Sequence, residues 1–229
     1  MYTYLLLNIF TLCGPMILSF DQKVAFWKSW RALFPALVAM SSLFLAWDVW
    51  FAEQGIWGFN PDYLTGIYIL NLPLEEWLFF LTIHYACVFI FACVKIYFPS
   101  QPLKKVAPWV FRALLVILPV LAITFSDRLY TFVTFTGLTV LIALNLFFIK
   151  PDYLGHFLLA YLISLIPFGS VNGVLTALPV GWYNDLENVA FRLGTIPVED
   201  IMYNMWMLLM TINVYQWVLG RQNIKLCDQ

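Results

Sequence analysis

Long apolar runs alternate along this chain with short polar stretches. A helix rises 1.5 Å per residue, so about 20 apolar residues cross the hydrocarbon of a bilayer. On that rule the runs predict spanning helices over Met1–Phe20, Ala32–Phe51, Pro73–Tyr97, Trp109–Phe125, Leu129–Ile149, Gly155–Leu178 and Pro197–Leu219. Ser126, Asp127 and Arg128 alone separate the fourth run from the fifth, and read as a tight turn. The first run is long enough to span by itself, so no cleavable signal is expected.

Basic residues set the orientation. With the N-terminus outside, the inner loops and their flanks hold Lys23, Lys28, Arg31, Lys95, Lys104, Lys105, Arg112, Lys150, Arg221 and Lys225, against Arg128 and Arg192 outside. Cytoplasmic loops carry the excess of Lys and Arg, so this bias supports about seven spans. One span more or fewer would scatter the charges over both faces. The expected fold is an all-α membrane protein with its N-terminus outside and its C-terminus in the cytoplasm.

Composition agrees. Hydrophobic residues make up 62% of the chain and charged residues 11%, where a soluble domain carries roughly 25% charge. A formal net charge of −1 gives no basic footprint for nucleic acid. Cys13, Cys87, Cys93 and Cys227 form no C-x-x-C pair, and three lie in apolar runs. Neither a disulfide framework nor a metal site is indicated.

A repeat then changes the picture. Asn71–Glu76 reads Asn-Leu-Pro-Leu-Glu-Glu, and Thr195–Asp200 reads Thr-Ile-Pro-Val-Glu-Asp, 124 positions later without a gap. Asn60 and Asn184 coincide under the same shift. The chain therefore divides into a three-helix repeat over 1–97, a linker helix region over 98–128 and a second three-helix repeat over 129–229. Spans one to three and five to seven run in the same direction, so the repeats are parallel, with both acid pairs on the outer side. A single Pro-x-Glu-Glu has an ordinary structural explanation, because proline suits a helix start and acids there complement the helix dipole. Two copies at the mouths of apolar spans point further, since carboxylates near lipid are costly and usually functional.

At these residues the sequence resembles the lycopene cyclases that many bacteria make as two small membrane subunits, that archaea and other bacteria fuse, and that fungi attach to a phytoene synthase. Their mark is Pro-x-Glu-(Glu/Asp) in each half. Leu72–Glu76, continued by Trp77-Leu78-Phe79-Phe80, matches the first, and Arg192–Asp200 matches the second.

The resemblance implies a redox-neutral isomerisation of an acyclic carotenoid end group such as that of lycopene. A proton adds to the terminal double bond, an internal double bond attacks the tertiary cation, and loss of a ring proton gives the β-ionone end. The implied catalytic residues are Glu75, Glu76, Glu199 and Asp200. Adjacent carboxylates suit the work if one holds its proton while the other stays ionised, and an anion also stabilises the cation. Asp48, level with the motifs at the outer end of its span, joins Trp77, Phe80, His84, Tyr203 and Asn204 as candidate substrate-binding or supporting residues. Most aromatics near the motifs are equally explained by packing, and His84 by an interhelical hydrogen bond. Asn204 stands to bond Asp200 or to join two helices. Arg192 stands to pair with an acid or to anchor the interface. His156, near the inner end of its span, has no expected catalytic part. No cofactor is expected, because no Gly-x-Gly-x-x-G follows a strand-like run. Expected partners are the carotenoid, membrane lipid and other carotenoid enzymes, in a bacterial inner (plasma) membrane.

Other functions remain open at this point. A retinal protein needs a lysine in the last span, and Pro197–Leu219 has none. A membrane prenyltransferase could use Asn184-Asp185-Leu186-Glu187-Asn188 to hold magnesium and a diphosphate, but such sites need converging carboxylates. A non-catalytic carotenoid-binding subunit is the third class.

Overall fold

A computed structural model describes residues 2–222. Met1, Lys225 and Cys227, used above for the first span, the inner charge and the cysteine pattern, lie outside the described residues. Seven helices follow one another among the described residues: α1 (Thr3–Leu18), α2 (Trp30–Glu53), α3 (Leu74–Tyr97), α4 (Ala107–Thr124), α5 (Leu129–Ala143), α6 (Leu154–Ala177) and α7 (Val198–Gln222). A wider π-type stretch, Leu144–Ile149, extends α5 and stops at Lys150 in the left-handed backbone region. The tripeptide 126–128 is the expected tight turn, with the Arg128 amide donating to the Phe125 carbonyl at 3.0 Å.

Among the described residues, five segments are long and apolar enough to cross a membrane: Phe26–Glu53, Leu74–Tyr97, Ala107–Thr124, Leu129–Ile149 and Leu154–Ala177. The remaining two differ for physical reasons. Helix α1 has 16 residues, about 24 Å of helix. Helix α7 has 25, but opens on Glu199 and Asp200 and closes near Arg221. On α4, Trp109, Val116, Val120 and Ile123 point outward, exposed apolar side chains that fit a lipid face.

The helical expectation omits one feature. Among the described residues, three short antiparallel ladders lie in the loops before α3 and α7. Strand β1 (Trp57–Phe59) pairs with β4 (Gly181–Tyr183), β2 (Tyr68–Ile69) with β3 (Leu72–Pro73), and β5 (Arg192–Leu193) with β6 (Ile196–Pro197). Two- and three-residue strands are too short to show an alternating pattern in sequence.

Several loop hydrogen bonds recur 124 positions apart. The Leu74 amide donates to Ile67 O at 2.8 Å, and the Val198 amide to Phe191 O at 3.0 Å. Asn60 Oδ1 accepts from the Asp62 amide, and Asn184 Oδ1 from the Leu186 amide. The left-handed turn positions also coincide: Gly66 with Ala190, and Leu70 with Gly194. Across β1–β4, Trp57 faces Tyr183 and Phe59 faces Gly181. Under the 124-residue shift this is a reciprocal exchange, each strand offering the other the same edge. Helix packing has the same form. Helix α1 lies on α3 and α5 on α7, while α2 packs on α7 and α6 on α3. The halves interlock.

Close approach of helices depends on small residues at chosen points. A Cβ on Gly137 of α5 would fall 2.2 Å from the Trp206 ring of α7. That ring packs edge-on against Phe44 and Trp47 of α2. One glycine thus seats the aromatic cluster that joins three helices.

Candidate active site

Proline at residues 73 and 197 ends a short strand and cannot continue a helical ladder backward, so each following helix starts on the next residue. The acids fall in the first turn of α3 and α7. Neighbouring residues on a helix point about 100° apart, so the two members of each pair face different surroundings.

Glu75 and Glu199 turn into the loops. Glu75 Oε1 accepts from the Thr65 amide at 2.6 Å, and Glu199 Oε1 from the Val189 amide at 2.7 Å. The Thr131 hydroxyl donates to the same Glu199 oxygen at 2.6 Å. Both glutamates are fully buried and neither lines the cavity described next.

Glu76, Asp200 and Asp48 converge on one cavity of about 710 Å³, counting its mouth. Aromatic rings supply much of the remaining wall, among them Trp57, Phe80, Tyr130, Tyr183 and Tyr203. Trp57 and Tyr130 meet edge-to-face at 5.2 Å between centroids. Such faces stabilise a passing cation. Among the described residues, no Lys, Arg or His lines the cavity.

The three acids are held differently. Asp200 accepts three hydrogen bonds: the Tyr130 hydroxyl at 2.5 Å, the Asn172 amide at 2.7 Å and the Tyr183 hydroxyl at 2.9 Å. Burial, reinforced by Asp200, pushes the Tyr183 phenol well above its ordinary range, so it remains a donor. Glu76 accepts from the Tyr4 hydroxyl at 2.5 Å. Asp48, 2% exposed, accepts at Oδ1 from the Trp57 indole N–H at 2.5 Å, and among the described residues its Oδ2 has no hydrogen-bond partner.

The sequence matches the lycopene cyclase family over residues 1–94 and 127–218, one segment in each half. The chain belongs to the lycopene cyclase family. It is also similar to the bifunctional lycopene cyclase/phytoene synthase of Phycomyces blakesleeanus, with 35% identity over 91 residues. That match covers 36% of this chain and 15% of the fungal protein, so the chain spans a small part of that relative's length. No solved structure matches the chain.

In this lycopene cyclase family member, both matched segments reach the cavity. The first brings Asp48 and Glu76, the second Asp200. Phe80 and Tyr203 line it as well; Trp77, His84 and Asn204 do not. His84 Nδ1 lies 2.9 Å from the Phe80 carbonyl of its own helix, and Asn204 is fully buried without a side-chain partner. His156 bonds the Phe98 carbonyl at the start of α6. Arg192 pairs with Asp185 at 2.5 Å rather than with a motif acid, and its hydrogen bond holds that carboxyl below the ordinary range. Glu187 accepts from the Leu129 amide at the start of α5 and Asp185 pairs with Arg192, so both acids of Asn184–Asn188 are engaged within the protein. Sequence reasoning missed Tyr4, Tyr130, Asn172 and Tyr183 as carboxylate partners. The 124-residue shift carries a signal for one of them: it sets Asn172 on Asp48.

Proposed function

We propose that this chain is a lycopene β-cyclase, converting acyclic carotenoid end groups to β-ionone rings by proton-initiated carbocation cyclisation. The observation that carries this reading is the convergence of Glu76, Asp200 and Asp48 on one aromatic-walled cavity in a member of this family. A carboxylic acid delivers the proton, the aromatic faces and an anion hold the cation, and a carboxylate removes the ring proton. Glu76 and Asp200 stand at the reacting centre. Glu75 and Glu199 fasten the loops that shape it. The reaction is an isomerisation and runs without flavin or nicotinamide.

The same reading places seven spans in the membrane, N-terminus outside and C-terminus cytoplasmic, with α1 and α7 as the additional two. Residues 1–97 and 129–229 are then parallel repeats about an axis along the membrane normal, joined by the linker region 98–128. The reciprocal β1–β4 pairing supports this arrangement. The proposed setting is a bacterial inner membrane, where an insoluble hydrocarbon enters sideways from lipid and other carotenoid enzymes are the natural neighbours. Expression in a lycopene-accumulating bacterial host, followed by pigment analysis, tests the function. Cyclic carotene is the expected product; unchanged lycopene with the protein inserted in the membrane would overturn it. A carotenoid-binding subunit would leave the pigment unchanged, and a prenyltransferase would show chelator-sensitive use of a prenyl diphosphate.

A further inference from the structure

Three buried carboxyl groups line one cavity that, among the described residues, no cationic side chain lines. The charge of Glu76 acts on Asp48, and that of Asp200 acts on Glu76. Several anions there would repel one another with little water to screen them. The structure distributes hydrogen-bond donors unequally, and the inequality follows the repeat. Asn172 and Tyr183, which donate to Asp200, coincide under the 124-residue shift with Asp48 and Phe59. At the position where the second half carries an amide donor, the first half carries another acid. Where the second half has a phenol, the first has a plain ring.

Donors stabilise the ionised form, and an unpartnered carboxylate oxygen in an apolar wall favours the protonated form. We propose, resting on the cyclase reading above, that Asp48 delivers the initiating proton and Asp200 is the anion that faces the cation and accepts the ring proton. The Asp48 O–H bond breaks as a C–H bond forms at the terminal double bond. The internal double bond then closes the ring through a new C–C bond. A ring C–H bond breaks, its electron pair becomes the new double bond, and its proton goes to an Asp200 oxygen. One proton has moved from Asp48 to Asp200, and no electron acceptor is required. Glu76 lines the same cavity and faces the reacting centre beside them, and a proton passes from Asp200 back to Asp48 before the next turnover. Glu75 and Glu199 each keep one unpartnered oxygen too, but outside the cavity.

Infrared difference spectroscopy of the full chain in lipid vesicles separates these roles without turnover. Relative to the natural sequence, Asp48→Asn is expected to remove a protonated carboxyl C=O band and Asp200→Asn a carboxylate band. With lycopene loaded, Asp48→Asn should lower turnover about 100-fold or more, and Asp48→Glu should restore part of it. An intact amide spectrum checks the fold of each variant. Exchanged band assignments, or Asp48→Asn turnover within tenfold of the natural protein, would overturn the proposal. If the natural protein leaves lycopene unchanged, the proposed function falls and the proton-delivery step with it. The bands would still report which acid holds the proton, so that failure is distinguishable from a misassigned donor.

Discussion

Trp57 and Tyr183 stand opposite one another in the ladder that joins the two halves, and each donates to a different carboxylate. The Trp57 indole holds Asp48, and the Tyr183 hydroxyl holds Asp200. A backbone contact between the halves therefore sets the spacing of two cavity acids. Trp57→Phe, which keeps the ring and removes the N–H, is expected to leave the ladder intact and free Asp48. Turnover should fall about 2- to 10-fold, the value of a hydrogen bond to a neutral carboxyl group that positions it. Activity equal to the natural protein in vesicle assays would show that the bond does not position Asp48.

Glu76→Gln and Asp200→Asn are nearly isosteric and cannot act as acid or base. Each is expected to lower cyclisation at least 100-fold while the protein still extracts from membranes at normal yield. Pigment analysis in the lycopene-accumulating host reads the result. Full activity in both variants would remove the acid–base assignment.

Glu75 and Glu199 should behave differently, because their visible work is to accept backbone amides from the loops that precede α3 and α7. An amide oxygen can still accept, so Glu75→Gln and Glu199→Gln are expected to keep at least tenfold more activity than Glu76→Gln. Alanine at either site takes the acceptor from a half-buried N–H and should cost about 1 kcal/mol or more. Thermal unfolding in detergent measures that cost. A stable but inactive Glu75→Gln would place this residue in the chemistry instead.

Tyr130→Phe and Tyr183→Phe each take one donor from Asp200. Every such loss weakens the anion, with an expected fall in turnover of about 10-fold for each. The double variant should fall further than either one. If both single variants and the double match the natural protein, the donor count around Asp200 has no catalytic weight.

Gly137 lies against the Trp206 ring too closely for any Cβ. Gly137→Ala must displace that ring, which also contacts Phe44 and Tyr203. Overpacking of this kind costs about 1–3 kcal/mol, so the melting temperature should drop while the cavity acids are untouched. An unchanged melting temperature would show that α5 and α7 separate freely.

How much of this was legible in the sequence differs from residue to residue. The apolar runs anticipate the helices, but not that α2 and α6 begin and end at positions 124 apart, because the expected spans Ala32–Phe51 and Gly155–Leu178 do not coincide under that shift. Asp48 was placed by depth alone, and the cavity includes it. The split within Glu75-Glu76 and Glu199-Asp200 was not legible, because which helix face meets the cavity depends on packing from other helices. Tyr4 and Tyr130 sit 72 and 70 residues before the acids they bond, too far for local spacing to reveal. Arg192 was readable as a possible partner for an acid, but its choice of Asp185 follows from the turn that brings residues 185 and 192 together.

The reciprocal exchange at β1–β4 has a consequence for how such a protein can be built. Each strand edge is completed by the other half, through a surface that needs no peptide link between them. A chain cut in the loop between α3 and α4 would yield two pieces, each still carrying the edge that recognises its counterpart. Covalent continuity would then serve mainly to fix the ratio of the pieces at one to one and to raise their local concentration. Whether such halves travel as one polypeptide or two becomes a matter of gene arrangement, while the fit between Trp57 and Tyr183 stays the same.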